Sequence, residues 1–95
     1  MHIKEFQEMM RYLYFHRDFQ RGVGKTFEWL VEEVAELGEA LKVNDKKALE
    51  NEFADVIAWL ASLANVTSIN LEKAALNKYD WKCPKCRQSP CQCIL

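Results

Sequence analysis

Apolar residues recur at helical spacing through most of the chain. Ile3, Phe6, Met9, Met10 and Leu13 fall three or four positions apart with no Gly or Pro among them, which predicts a first helix over residues 2–19. Leu30, Val34, Leu37 and Leu41 mark the apolar stripe of a second helix, about 27–43. Ala48, Leu49, Val56, Trp59, Leu60 and Leu63 mark that of a third, about 46–65. Asn65 to Ser68 interrupts the pattern, and Asn70 is a good cap for a fourth helix over 71–81, with Glu72 in its first turn. Between the first two helices, Gly22 to Thr26 (GVGKT) predicts a turn, with Thr26 capping the helix that follows. This segment copies the end of a phosphate-binding loop, but Phe19 stands where that motif needs Gly and helix precedes it instead of strand. The polar turn at Asn44 and Asp45 is too short for anything but an antiparallel hairpin, and Asp45 caps the third helix. Gly38, inside the second helix, costs about 1 kcal/mol against Ala and suggests a close approach of helices there.

The same pattern exposes an anomaly. Glu33 and Glu36, then Glu52 and Asp55, are pairs spaced i, i+3, so each pair shares one side of a helical turn. On a helical wheel, Glu52 and Asp55 fall inside the apolar arc of their helix, while Glu33 and Glu36 flank the stripe of theirs. A core-facing carboxylate without a partner costs several kcal/mol or takes up a proton. A hard divalent cation removes that cost, and Mg²⁺ binds carboxylates, waters and substrate phosphates together. Glu28, Glu39 and Glu50 read instead as solvated positions.

These residues resemble the MazG-type nucleotide pyrophosphohydrolases. The likeness rests on Leu30 to Ala40 (LVEEVAELGEA), Glu52 to Leu60 (EFADVIAWL), Ser62 to Asn65 (SLAN) and Ile69 to Leu71 (INL), and spans about Phe19 to Lys78. It implies Mg²⁺ binding by Glu33, Glu36, Glu52 and Asp55, with Mn²⁺ as a substitute. It also implies hydrolysis of a nucleoside triphosphate to the monophosphate and pyrophosphate. Glu32 and Glu36 are the candidates for general base, since each lies one helical turn or less from an implied ligand. Lys78 matches a phosphate-contacting lysine of the family, but Lys82 stands where the family often has Asn. Phe19 corresponds to a base-contacting aromatic, with helix packing as its other reading. Trp59, four residues after Asp55, would wall the base pocket or pack in the core, and Trp29, four residues before Glu33, shares a helix face with that acid in the same way. The family implies an all-α fold whose hairpin core, here of four helices, is completed by oligomerisation as a homodimer or homotetramer.

Composition narrows the picture. Ninety-five residues allow one domain with a modest core, for which association is a natural way to gain burial. The net charge of −1 conceals a division. Residues 28–55 carry nine acids against three lysines, and the remainder carries ten basic residues against five acids. An acidic centre with basic flanks suits a metal–triphosphate site better than a nucleic-acid surface, which would want a basic stripe. No apolar run is long enough to span a membrane, and the amino terminus resembles no targeting peptide, so a cytoplasmic enzyme is expected.

The chain divides at residue 82. Residues 1–82 form the helical domain, and 83–95 a cysteine-rich tail that holds all four cysteines: Cys83, Cys86, Cys91 and Cys93. A CPxC segment followed by CxC can form a Cys₄ zinc site, although the four-residue spacer is short and contains Pro90. Disulfides and free thiols are the rival readings. An alternative for the whole chain is a non-catalytic helical dimer whose zinc-binding tail engages a protein or nucleic acid. That reading makes the inward-facing acids incidental.

Overall fold

In a computed structural model, which describes residues 1–94, the chain is helical with no strand among the described residues. Leu95, the end of the expected tail, lies outside them. Helix α1 spans Ile3–Val43, α2 spans Lys46–Val66 and α3 spans Leu71–Lys78.

The turn expected over 22–26 is reduced to one residue. Only Gly22 leaves helical geometry, at φ 85° and ψ 170°, so two helical segments run on as α1 with a kink between them. That backbone region is essentially open to Gly alone. Thr26 is therefore inside the helix and fully buried, and it does not act as a cap. The fourth expected helix, here α3, ends at Lys78 instead of residue 81 because Tyr79 is extended, at φ −117° and ψ 99°.

The hairpin forms as its turn chemistry requires. Asn44 adopts the left-handed conformation, at φ 59°, and terminates α1. Asp45 then accepts hydrogen bonds from the amides of Lys47 (3.1 Å) and Ala48 (3.4 Å), satisfying two free donors of α2. Asn70 caps α3 in the same way through the Lys73 amide, at 3.0 Å. The start of α1 is locked against the α2–α3 turn by Gln7 and buried Asn65. Gln7 Nε2 donates to Asn65 Oδ1 (3.0 Å) and to the Ile69 carbonyl (2.7 Å), and Asn65 Nδ2 donates to the Gln7 carbonyl (3.2 Å). The Leu71 amide donates to Gln7 Oε1 at 2.9 Å, so this network also fixes the entry into α3.

The single chain buries little. Among the described residues, the buried apolar ones are Met10, Ala40, Ala61 and Ala64. The accessible surface is 7,720 Å², against about 5,700 Å² for a compact monomer of this mass. The excess includes an apolar ridge at heptad-like spacing on α1, formed by Phe27, Val31, Val34 and Leu41, and another on α2, formed by Phe53, Ile57 and Leu60; all seven are exposed. Gly38 lies in the first ridge, and a Cβ built on it would meet nothing within 4 Å. The close approach expected at Gly38 is thus absent within the chain. Among the described residues, no single helix is long and apolar enough to cross a membrane.

Candidate active site

Antiparallel packing of α1 and α2 brings Glu33 and Glu36 of α1 against Glu52 of α2 across the seam. Carboxylate oxygens of Glu33, Glu36 and Glu52 lie within 4.8 Å of one another. The ion pairs among the described residues are Arg21–Asp18 and Lys42–Glu39, so none of these three acids has a cationic partner. Glu52 Oε2 is buried and has no hydrogen-bond partner. Partial burial, a hydrogen bond that protonated Glu33 donates to Glu36, and the charges of Glu36, Asp55 and Glu52 push Glu33 up to about 7. Burial first, then the charges of Glu36 and Asp55, also raises Glu52. An unpartnered oxygen within a cluster of like charges matches the hard-cation donor set of Mg²⁺ or Mn²⁺. These residues could hold such an ion.

Asp55 lies close enough for its charge to reach Glu33 and Glu52, but it also lines an adjoining groove of about 480 Å³. Trp59 lines the same groove and stacks on Trp29, with ring centroids 5.8 Å apart and planes 17° apart. The Arg21 guanidinium lies 4.8 Å from the Trp59 ring and bonds Asp18 Oδ1 at 2.7 Å. Asp18 is 2 % exposed, and its Oδ2 is unpartnered. Tyr14 and Arg17 complete the polar lining from α1.

Arg17, Asp18 and Arg21 are the groove residues that sequence reasoning missed. Met10, Tyr14, Arg17 and Arg21 recur at four- and three-residue spacing, and that polar continuation of an apolar stripe was the available signal. The expected base contact, Phe19, stands apart: it is 72 % exposed and packs on Phe15, with ring centroids 5.8 Å apart. Its neighbour Asp18 faces the groove instead. Glu32 is exposed on a separate groove with Lys25, Phe27 and Trp29, away from the three-acid cluster. Lys78 lies at the end of α3, 5.7 Å from the Tyr79 ring, in a groove shared with Lys82 and Arg87.

The four cysteines form a second cluster. All are free, and their sulfurs lie within 4.8 Å of one another. The amides of Gln92 and Gln88 pull Cys86 down to about 6, and those of Cys86 and Lys85 lower Cys83. Hydrogen bonds with the neighbouring cysteines, Cys91 first, push Cys93 up to about 11.

Comparison with known families agrees with the all-helical fold. The model of the MazG nucleotide pyrophosphohydrolase domain matches residues 21–87, which include both acid pairs and extend past Lys78 to take in Cys83 and Cys86. No curated protein matches the chain. The match covers well over half of the sequence, and the chain belongs to the MazG nucleotide pyrophosphohydrolase family.

Proposed function

We propose that the chain hydrolyses nucleoside or deoxynucleoside triphosphates to the monophosphate and pyrophosphate, using Mg²⁺ held by Glu33, Glu36, Glu52 and Asp55. The observation that carries this reading is the convergence of three acids from two helices with no cation among them, one oxygen of Glu52 being buried and unpartnered. Bound there, the ion would offset the carboxylate and phosphate charges and make a nearby water easier to deprotonate. Glu36 is the favoured general base, because it belongs to the cluster and shares a hydrogen bond with Glu33, whereas Glu32 faces another groove. The Glu33–Glu36 pair takes the proton from the water as it attacks the α-phosphorus in line with the departing pyrophosphate. Trp59 and Arg21 would form the wall for the nucleoside, beside Asp55. Phe19 and Lys78 enter this reading through the family resemblance alone.

A second copy of the chain is part of the proposal. The ridges on α1 and α2 expose seven large apolar side chains beside the acid seam. Burying them against another copy, as a homodimer or a dimer of dimers, would remove the excess surface and shield the site from water. The alternative of a non-catalytic helical dimer leaves the Glu52 oxygen without an explanation.

The test is pyrophosphate release from a panel of nucleoside and deoxynucleoside triphosphates, with and without Mg²⁺. Mg²⁺-dependent release that Glu52→Gln abolishes supports the proposal. Absence of turnover across the panel, with no Mg²⁺-induced thermal shift, would end it.

A further inference from the structure

The tail has no core of its own to hold it. None of residues 79–94 is fully buried, and Trp81 and Ile94 are 91 % and 99 % exposed. Backbone bonding to the helices is limited to the Tyr79 amide, which closes the last turn of α3. Yet the tail has a definite local geometry. The Arg87 amide donates to the Cys83 carbonyl at 2.7 Å, and the Cys83 amide to the Gln88 carbonyl at 3.0 Å. Arg87, directly after the CPxC segment, takes a left-handed φ of 62° and reverses the chain.

What this geometry gathers is sulfur. Cys83 Sγ lies 3.6 Å from Cys93 Sγ, and Cys86 Sγ lies 3.9 Å from Cys91 Sγ. In a tetrahedral thiolate site with metal–sulfur bonds of about 2.3 Å, the sulfurs stand about 3.8 Å apart. Amides are aimed at the same atoms: Gln92 N–H donates to Cys86 Sγ and Cys93 N–H to Cys91 Sγ, both at 3.3 Å. Such outer donors steady thiolate ligands and offset their charge.

We propose that Cys83, Cys86, Cys91 and Cys93 bind one Zn²⁺ in a closed, structural tetrahedral site that orders the tail independently of the acid seam. Four sulfur donors leave no open position for a water, which separates this site from catalytic zinc. Soft thiolates select Zn²⁺ over the hard cation that the carboxylates favour, so the chain would sort two metals by donor type. On binding, the ion displaces the remaining thiol protons, which pass to solvent. The inference goes beyond the hydrolase reading and does not depend on it.

The experiment uses the full chain, purified under reducing conditions and loaded with Zn²⁺ or with Co²⁺ as a spectroscopic probe. One zinc per chain is expected, with visible absorption of tetrahedral cobalt–thiolate in the substituted protein and slowed alkylation of all four cysteines. Cys83→Ser and Cys91→Ser should each weaken zinc binding by roughly 100-fold or more, while Glu52→Gln keeps the stoichiometry at one. Alkylation of the unmodified chain decides the matter even where a serine variant fails to fold. Four thiols that react at the same rate with and without zinc would overturn the proposal, as would two disulfides in the reduced preparation. Zinc that follows Glu52→Gln instead of the cysteine variants would overturn it too.

Discussion

The acid seam and the cysteine tail both crowd ligand atoms that repel one another when ionised, but they are held in different ways. Glu33, Glu36 and Glu52 project from two helices fixed by a capped hairpin and by the Gln7–Asn65 network. Their convergence is set by the fold, which must bear the cost of like charges at close range. The four cysteines sit on a loop with no buried residue and few bonds to the rest of the chain. A helical frame can keep a site ready for its ion. A short loop needs the ion itself, because each residue ordered costs roughly 1–2 kcal/mol of conformational entropy and no apolar burial offsets it. A structural zinc supplies about 10–16 kcal/mol, of the same order as the cost of ordering the segment from Cys83 to Cys93.

The largest effects should come from the seam. Glu36→Gln is expected to reduce kcat for pyrophosphate release by roughly 10²–10⁴-fold, as for loss of a general base. The same substitution should raise the melting temperature of the metal-free protein, because it removes one of the repelling charges. A fall in that temperature would show that the acids are not held together at a cost. Next in size is Arg21→Ala, which leaves the buried Asp18 carboxylate without its partner. We expect a loss on the order of 3 kcal/mol in denaturant unfolding, and a wild-type midpoint would show that buried Asp18 does not depend on Arg21.

The kink gives a smaller and cleaner signal. Gly22→Ala should cost about 1–3 kcal/mol, from the strain of a side chain at φ 85°, since a Cβ there meets nothing within 4 Å. Gly24→Ala, in helical geometry and equally open, should stabilise by up to about 1 kcal/mol, so the pair isolates backbone strain from packing.

The pH dependence is the gentlest test. Glu33 is pushed up to about 7 in the fold from an ordinary 4.5, so the fold favours its protonated form. This contribution to stability is fully present below pH about 4.5 and fades as pH rises through about 7. The thermal shift on adding Mg²⁺ should therefore grow between pH 5 and pH 8, and Glu33→Gln should flatten its pH dependence. A shift of the same size at every pH would mean that Glu33 does not give up its proton to the ion.

Local chemistry alone settled much of this protein. Apolar periodicity and the caps at Asp45 and Asn70 act within a few residues, so α2, α3 and a tight antiparallel hairpin follow from neighbours in the chain, whereas the two helices expected before Asn44 run on as one. Glu52 and Asp55 were conspicuous because a carboxylate inside an apolar arc breaks the pattern of its own helix. Three-dimensional packing decided the rest. The sequence predicts a turn over residues 22–26 because it shows that a residue can adopt positive φ, not how few residues the bend requires. Asp18 and Arg21 were overlooked because an acid and a base three positions apart resemble any solvated pair until α2 covers them. Phe19 and Glu32 are candidates from sequence because spacing names a turn of helix, whereas only the docking of one helix on another chooses which side of that turn faces the site.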